Sequence, residues 1–119
     1  MKQIMAMIRP GKYFKLKNDL SAKGFDSMCV YDVTGRGKNK VEMLVYATGS
    51  GKEEHTIDHP MIAKKLIEII VRDVDCDVVV NTIKESVYTG NHGDGKIFII
   101  PVDTGIRIHT GERHDEAVV

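Results

Sequence analysis

One strand–helix–strand pattern occurs twice in this chain, and that doubling constrains the fold more than any other feature. Residues 4–9 form a short apolar run closed by Pro10, and residues 13–23 then place Tyr13, Leu16 and Leu20 at near-helical spacing before Gly24. The first run predicts a strand and the second a helix, with Gly24 as its C-terminal cap. The same sequence logic returns at residues 66–71, an apolar, β-branched run, followed by a helical stretch at 74–87 with Val74, Val78, Ile83 and Val87 on one face. Asp73 is the expected N-cap, and Asp75 and Asp77 sit in the first turn, where the positive end of the helix dipole favours carboxylates. A further strand is expected after each helix, at 27–34 and at 96–102.

The predicted order is βαββαβ, an α+β ferredoxin-like sandwich in one domain spanning 1–119, a length that buries a real but modest core. Two helices cover one face of such a sheet and leave the other bare. Ile97, Ile99, Met5 and Met7 alternate with Phe98, Ile100, Ile4 and Ala6, so the outer strands are expected to be apolar on both faces. A second apolar face calls for a partner, and three copies placed face to face would bury it. With 17 basic and 17 acidic residues, no global field draws in a polyanion, which argues against nucleic-acid or anionic-membrane binding. No apolar run approaches the roughly 20 residues of a membrane span, and no signal-peptide h-region opens the chain, so no membrane insertion and a cytoplasmic location are expected. Cys29 and Cys76 lack metal or disulfide spacing and are read as reduced packing residues.

Residues 41–60 break the pattern. Rich in glycine and charge and without periodicity, they are expected to be a mobile loop between the second and third strands, with Tyr46 at a strand end. Gly49-Ser50-Gly51-Lys52 is not a P-loop, since the first glycine of that motif would fall on Tyr46 and Glu53 follows the lysine. His55 and His59 have the i, i+4 spacing of a helical metal pair, but a glycine-rich segment running into Pro60 is a poor helix.

The chemistry-bearing stretch is Thr89-Gly90-Asn91-His92-Gly93-Asp94-Gly95-Lys96, directly before an apolar strand. Glycines there permit positive φ, so successive N–H groups can converge on an anion beside the Lys96 ammonium, with Arg107 within reach. A plain hairpin turn at Asp94-Gly95 is the alternative for so short a motif. The longer run TGNHGDGKIFIIPV with RIHTGE, the run Gly35-Arg36-Gly37-Lys38-Asn39-Lys40 and Arg9-Pro10 together closely resemble the nitrogen-regulatory PII signal-transduction family, and most closely its nitrogenase-associated branch, second paralogue of a pair.

That resemblance implies a trimer, either of identical chains or mixed with a paralogue, binding ATP or ADP in clefts between subunits. Gly93, Asp94, Gly95, Lys96, Arg107 and His109 would hold the phosphates, with Gly35, Gly37 and Lys38 arriving across the cleft and Glu68 and Ile70 lining the base pocket. It implies 2-oxoglutarate as effector, bound by Asn39, Lys40 and Lys64, with Asn39 reaching a nucleotide-bound magnesium. Three positions depart from the family: His109 stands for an arginine, Asn39 for a glutamine and Cys29 for a threonine. In the family, the loop corresponding to 41–60 docks into the controlled protein; this loop lacks the modifiable tyrosine context. The leading expectation is a non-enzymatic metabolic sensor that inhibits dinitrogenase and is released by 2-oxoglutarate. Alternatives are the same sensor with an ammonium transporter or biosynthetic enzyme as client, a nucleoside-phosphate transferase using His92 or His109 as phosphoryl acceptor, and a metal-binding trimer using His55, His59 and His114.

Overall fold

The computed structural model describes residues 1–38 and 60–119, together with the backbone of two strands at 42–46 and 54–58. The chain runs β1 (Lys2–Ile8), α1 (Tyr13–Ala22), β2 (Cys29–Gly35), β3 (Glu42–Tyr46), β4 (Glu54–Asp58), β5 (Ile62–Val71), α2 (Cys76–Val87) and β6 (Lys96–Pro101). Four of these strands form an antiparallel sheet in the order β2-β5-β1-β6. The βαββαβ ferredoxin-like expectation is met, with β3 and β4 inserted between its second and third strands.

Alternation of side chains across the pleat decides what the sheet buries. Ile4, Ala6 and Ile8 of β1 and Ile67, Ile69 and Val71 of β5 point to the helix side and join Leu16, Leu20, Cys76, Val79, Ile83 and Val87 in one core. The opposite face carries Met5, Met7, Leu66, Phe98 and Ile100, with Phe98 54% and Ile70 46% exposed. Apolar residues therefore do line both faces of β1, but β1 is an inner strand flanked by β5 and β6, not an outer one. The crossover through α2 returns the chain to the far side of β1, which places β6 alone at that edge.

The two helices end and begin by different devices. Gly24 has φ +88°, its N–H donates to Ser21 O (2.9 Å) and the Phe25 N–H donates to Leu20 O (2.9 Å), the paired bonds of a Schellman cap. Phe25 then packs on the core. Asp73, expected as an N-cap, instead begins a short 3-10 turn, Asp73–Asp75, and its carboxylate pairs with the Met1 ammonium at 3.1 Å. Asp75 takes the Arg72 Nε–H at 2.8 Å, so the entry to α2 is tied by ion pairs in place of a side-chain cap. The buried face of α2 is Cys76, Val79, Thr82, Ile83, Ser86 and Val87, while Val74 and Val78 are exposed. Because the α-helix proper starts at Cys76, the stripe runs from there at i, i+3 and i+7, and Val74 lies before it. The buried hydroxyls are satisfied: Thr82 Oγ1 donates to Val78 O (2.7 Å), and Ser86 Oγ donates to Asp19 Oδ2 (2.5 Å), joining the two helices.

Within residues 41–60, expected as an aperiodic loop with a strand end at Tyr46, the structure instead has two strands. β3 and β4 pair antiparallel, Glu42 opposite Asp58 through Tyr46 opposite Glu54, as a separate two-stranded sheet. The sequence reason is the run Met43-Leu44-Val45-Tyr46 and the β-branched Thr56-Ile57, both of strand composition. Tyr46 ends its strand as expected. The Gly-Ser-Gly-Lys run at 49–52 and His59 lie outside the described residues.

Candidate functional site

The glycine turn between α2 and β6 is knotted around one side chain. Asp94 accepts from the Thr89 N–H (2.9 Å), the Gly90 N–H (3.0 Å) and the Thr89 hydroxyl, and from Arg9 Nη1 at 3.2 Å across the sheet. The Asn91 N–H donates to Thr89 Oγ1 (3.2 Å). These bonds hold the Asp94 carboxyl below the usual carboxylate range, with the Thr89 hydroxyl the largest cause and the Thr89 and Gly90 amides and the Arg9 charge adding to it against partial burial. A carboxyl whose folded pKa is depressed stabilises the fold above its unfolded pKa of about 3.9 and stops doing so as pH falls through the folded value. Amide exchange at Thr89 and Gly90 is therefore expected to rise relative to core amides below about pH 4, and Asp94→Asn should abolish that pH step in an NMR titration.

Two cations converge on the carbonyls of the same turn. Arg9 Nη2 donates to His92 O at 2.6 Å, and Lys64 Nζ donates to Gly93 O at 3.0 Å. Burial pushes the Lys64 pKa down, the Arg9 charge pushes it down further, and Asp94 draws it back up. Lys96 follows at the first position of β6. Among the described residues, Arg9 and Lys64 thus meet one carboxylate, Asp94, with Lys96 two positions further along the chain, a local excess of positive charge that favours an anion.

Glycine is required here by geometry. Gly93 has φ +96° and a Cβ there would lie 3.2 Å from Arg9 Nη2; Gly95 has φ +111° and its Cβ would overlap the Met7 carbonyl oxygen and lie 2.9 Å from the carbonyl carbon. The turn is in this way laid directly on the end of β1. Gly35, at the end of β2, lies against the same methionine, with Met7 Sδ 3.8 Å from where its Cβ would be. Gly37 and Lys38 follow, both exposed, and Asn39 and Lys40 lie outside the described residues.

At the other end of the sheet, β2 stops pairing at Cys29 opposite Glu68, while β5 continues to Val71. The uncovered β5 edge opens into a cavity of about 430 Å³ bounded by Phe25, Ser27, Ile70, Arg72 and Val119 among others. Ile70 lines it, whereas Glu68 accepts a hydrogen bond from Tyr31 Oη (3.3 Å) beside Cys29, and the negative charges there raise the Tyr31 pKa, Glu68 first. Along β1, Ile70 is opposite Gln3 and Lys96 opposite Met7, so cavity and glycine turn stand four strand residues apart, roughly 13 Å.

Arg107 is engaged away from the turn: its guanidinium donates to Glu112 Oε2 (2.6 Å) and to Val119 O. His109 is exposed in the following turn. His114 lies at φ 57°, with its ring Nδ1 2.9 Å from Thr104 Oγ1, and His55 is described through its backbone alone. Among the described residues no group of three His, Cys, Asp or Glu side chains is placed to hold a metal ion, and no helix is long and apolar enough to cross a membrane.

The structure thus gathers Gly93, Asp94, Gly95, Lys96 and Lys64 at one place, and Ile70 at a second. It adds Arg9 and Thr89, to which the sequence alone assigned no binding role. Arg9 was legible only as a charge at a strand end before proline; its reach of 85 positions to Asp94 is a product of the fold.

The family profile "Nitrogen regulatory protein P-II" matches residues 1–112. The chain is similar to nitrogen regulatory protein P-II 2 of Methanothermobacter thermautotrophicus, 45% identical over 99% of this chain and 97% of the relative. It is 36% identical to the nitrogen fixation nifHD region GlnB-like protein 2 of Methanobacterium ivanovii, over 100% of both chains. Among solved structures it superposes on B. subtilis GlnK with a TM-score of 0.74 and 30% identity, covering 98% of this chain and 96% of that one.

Proposed function

Because the chain belongs to the nitrogen regulatory protein P-II family, we propose that it is a cytoplasmic, non-enzymatic sensor that binds adenine nucleotide and 2-oxoglutarate and controls nitrogen fixation. The observation that carries this reading is the convergence of Arg9 and Lys64 on the glycine turn that Lys96 follows, two cations against the one carboxylate of Asp94 among the described residues. A nucleotide triphosphate supplies the missing negative charge, and its base fits the notch at Ile70, where the unpaired edge of β5 offers backbone hydrogen bonds to a planar heterocycle. The cradle of one chain and the notch of another complete one site in a trimer whose bare sheet faces meet, formed of identical chains or of this chain and a paralogue.

Lys64 is the effector contact in this reading, with Asn39 and Lys40 beside it. Its ammonium, already partly desolvated, exchanges a neutral carbonyl for the carboxylate of 2-oxoglutarate, a stronger charge-assisted bond. Magnesium would come with the nucleotide, held by phosphate oxygens and Asn39. His109 and Arg107 add phosphate contacts once Arg107 leaves Glu112, and Gly35, Gly37 and Lys38 close the cleft from the neighbouring chain. The resulting occupancy selects how residues 41–60 meet a target.

Two relatives carry the name nitrogen fixation nifHD region GlnB-like protein 2, which favours dinitrogenase over an ammonium transporter or biosynthetic enzyme as client. Inhibition is by binding, and 2-oxoglutarate releases the target because it binds the free sensor more tightly than the docked one. Capture on immobilised sensor tests this: a dinitrogenase component retained with ATP alone and eluted by 2-oxoglutarate supports the client, and its absence from both eluates refutes it. The cradle is tested separately. Lys96→Ala is expected to weaken ATP binding by about 1.5–3 kcal/mol, the worth of a hydrogen bond to a charged group, with no change in fold; unchanged affinity by calorimetry would remove Lys96 from the site.

A further inference from the structure

Asp94 sits at the centre of the turn assigned to bind phosphate, yet a carboxylate facing a triphosphate repels it. Its hydrogen bonds resolve the conflict. Both oxygens are turned inward: Oδ2 takes the Thr89 and Gly90 amides, and Oδ1 takes the Thr89 hydroxyl and Arg9 Nη1. Thr89 in turn takes the Asn91 amide on its hydroxyl oxygen. The consequence is that the amides of residues 89–91 are committed inside the turn, and the segment is fixed to β1 through an arginine 85 positions away. Arg9 is held at two points, by Asp94 and by His92 O, which sets the position of a cation that would otherwise sample many rotamers.

We propose that Thr89 and Asp94 are positioning residues of the anion cradle: they lock the glycine turn onto Arg9 before any ligand arrives, and the Asp94 carboxylate does not touch the bound phosphates. The inference rests on the nucleotide-sensor reading and refines it, since Asp94 leaves the set of ligating side chains and Thr89 joins the residues on which binding depends. Preorganisation of this kind raises affinity by removing the ordering cost that binding would otherwise meet. It acts on the phosphates and not on the base, whose notch lies at the other end of the sheet.

The test is calorimetric titration of the full chain with ATP and, separately, with adenosine, for wild type, Asp94→Asn, Thr89→Val and Thr89→Ser. Asp94→Asn and Thr89→Val are expected to weaken ATP about tenfold, the equivalent of one charge-assisted hydrogen bond, while adenosine changes less than about twofold. Thr89→Ser, which keeps the hydroxyl, should restore ATP to within about threefold of wild type. The Asp94→Asn result is decisive in sign. Removing a negative charge that faced the phosphates would tighten ATP, so equal or tighter binding by a folded Asp94→Asn chain overturns the proposal. Equal losses for ATP and adenosine also overturn it, since they signal general loosening. Thermal melting establishes that each variant is folded, and if Asp94→Asn is not, the Thr89 pair decides by the same criteria. A wild-type chain that binds neither ligand overturns the sensor reading itself, and the positioning role with it; wild-type ATP binding left untouched by all three variants overturns only the positioning role.

Discussion

Gly95→Ala is expected to be among the most damaging single-methyl additions in the chain, lowering stability by roughly 2–5 kcal/mol and removing triphosphate binding. The figure combines the strain of a non-glycine residue at positive φ with the displacement needed to relieve an overlap. The atom that the new Cβ meets is the Met7 carbonyl oxygen, part of the backbone of an inner strand, and β1 is held there by Leu66 on one side and Lys96 on the other. Neither partner can yield as a flexible side chain would. Gly90→Ala is the control: at φ +84° it carries the conformational strain, but its nearest neighbours are atoms of the Tyr88 ring at 3.4–3.9 Å, which can turn aside. Urea denaturation of the two variants should separate them by the overlap alone. Equal midpoints would mean that the turn does not bear on β1 as described.

Phe98→Asp is expected to dissociate the assembly while leaving each chain folded. Phe98 lies on the bare face of the sheet opposite Met5, half exposed and outside the helix-side core. In a trimer closed through that face, an aspartate at this position would be buried without a partner, a penalty of several kcal/mol per copy. Sedimentation velocity should give three times the chain mass for wild type and the single-chain mass for the variant, with unchanged circular dichroism. A variant that still sediments as a trimer would place the interface elsewhere.

How much of this was legible in the sequence follows from how local each determinant is. The strand and helix order, the Gly24 cap and the two-sided apolar character of β1 depend on spacing within ten or so residues, and all three are found in the structure. The start of α2 is not legible as a side-chain cap because Asp73 and Asp75 are taken up by ion pairs, with the distant Met1 ammonium and with Arg72. The pairing of β3 with β4 is not legible in the sequence because a glycine-rich centre separates two short runs of strand composition. At the site, the glycines and Lys96 could be picked out as a motif. Their partners Arg9 and Lys64 could not be joined to them by spacing, since it is the antiparallel register of β1 between β5 and β6 that brings positions 9, 64 and 94 together. Asp94 was legible as a member of the turn but not as its centre, because the direction a carboxylate faces is a property of the folded loop.

In the proposed sensor, two coupled anion sites meet at the glycine turn, Lys96 serving the phosphates and Lys64 the effector. Equilibrium dialysis of labelled ATP, with and without 2-oxoglutarate and magnesium, tests it most directly. Because Lys64 bonds the Gly93 carbonyl of the phosphate turn, filling one site should alter the other, and linkage requires the same factor in both directions. The expected result is saturable ATP binding that tightens in the presence of 2-oxoglutarate, with 2-oxoglutarate binding tightened by ATP to the same extent and the mutual effect lost in Lys64→Ala. Saturable ATP binding that is indifferent to 2-oxoglutarate, or no retention of ATP at all, would contradict it.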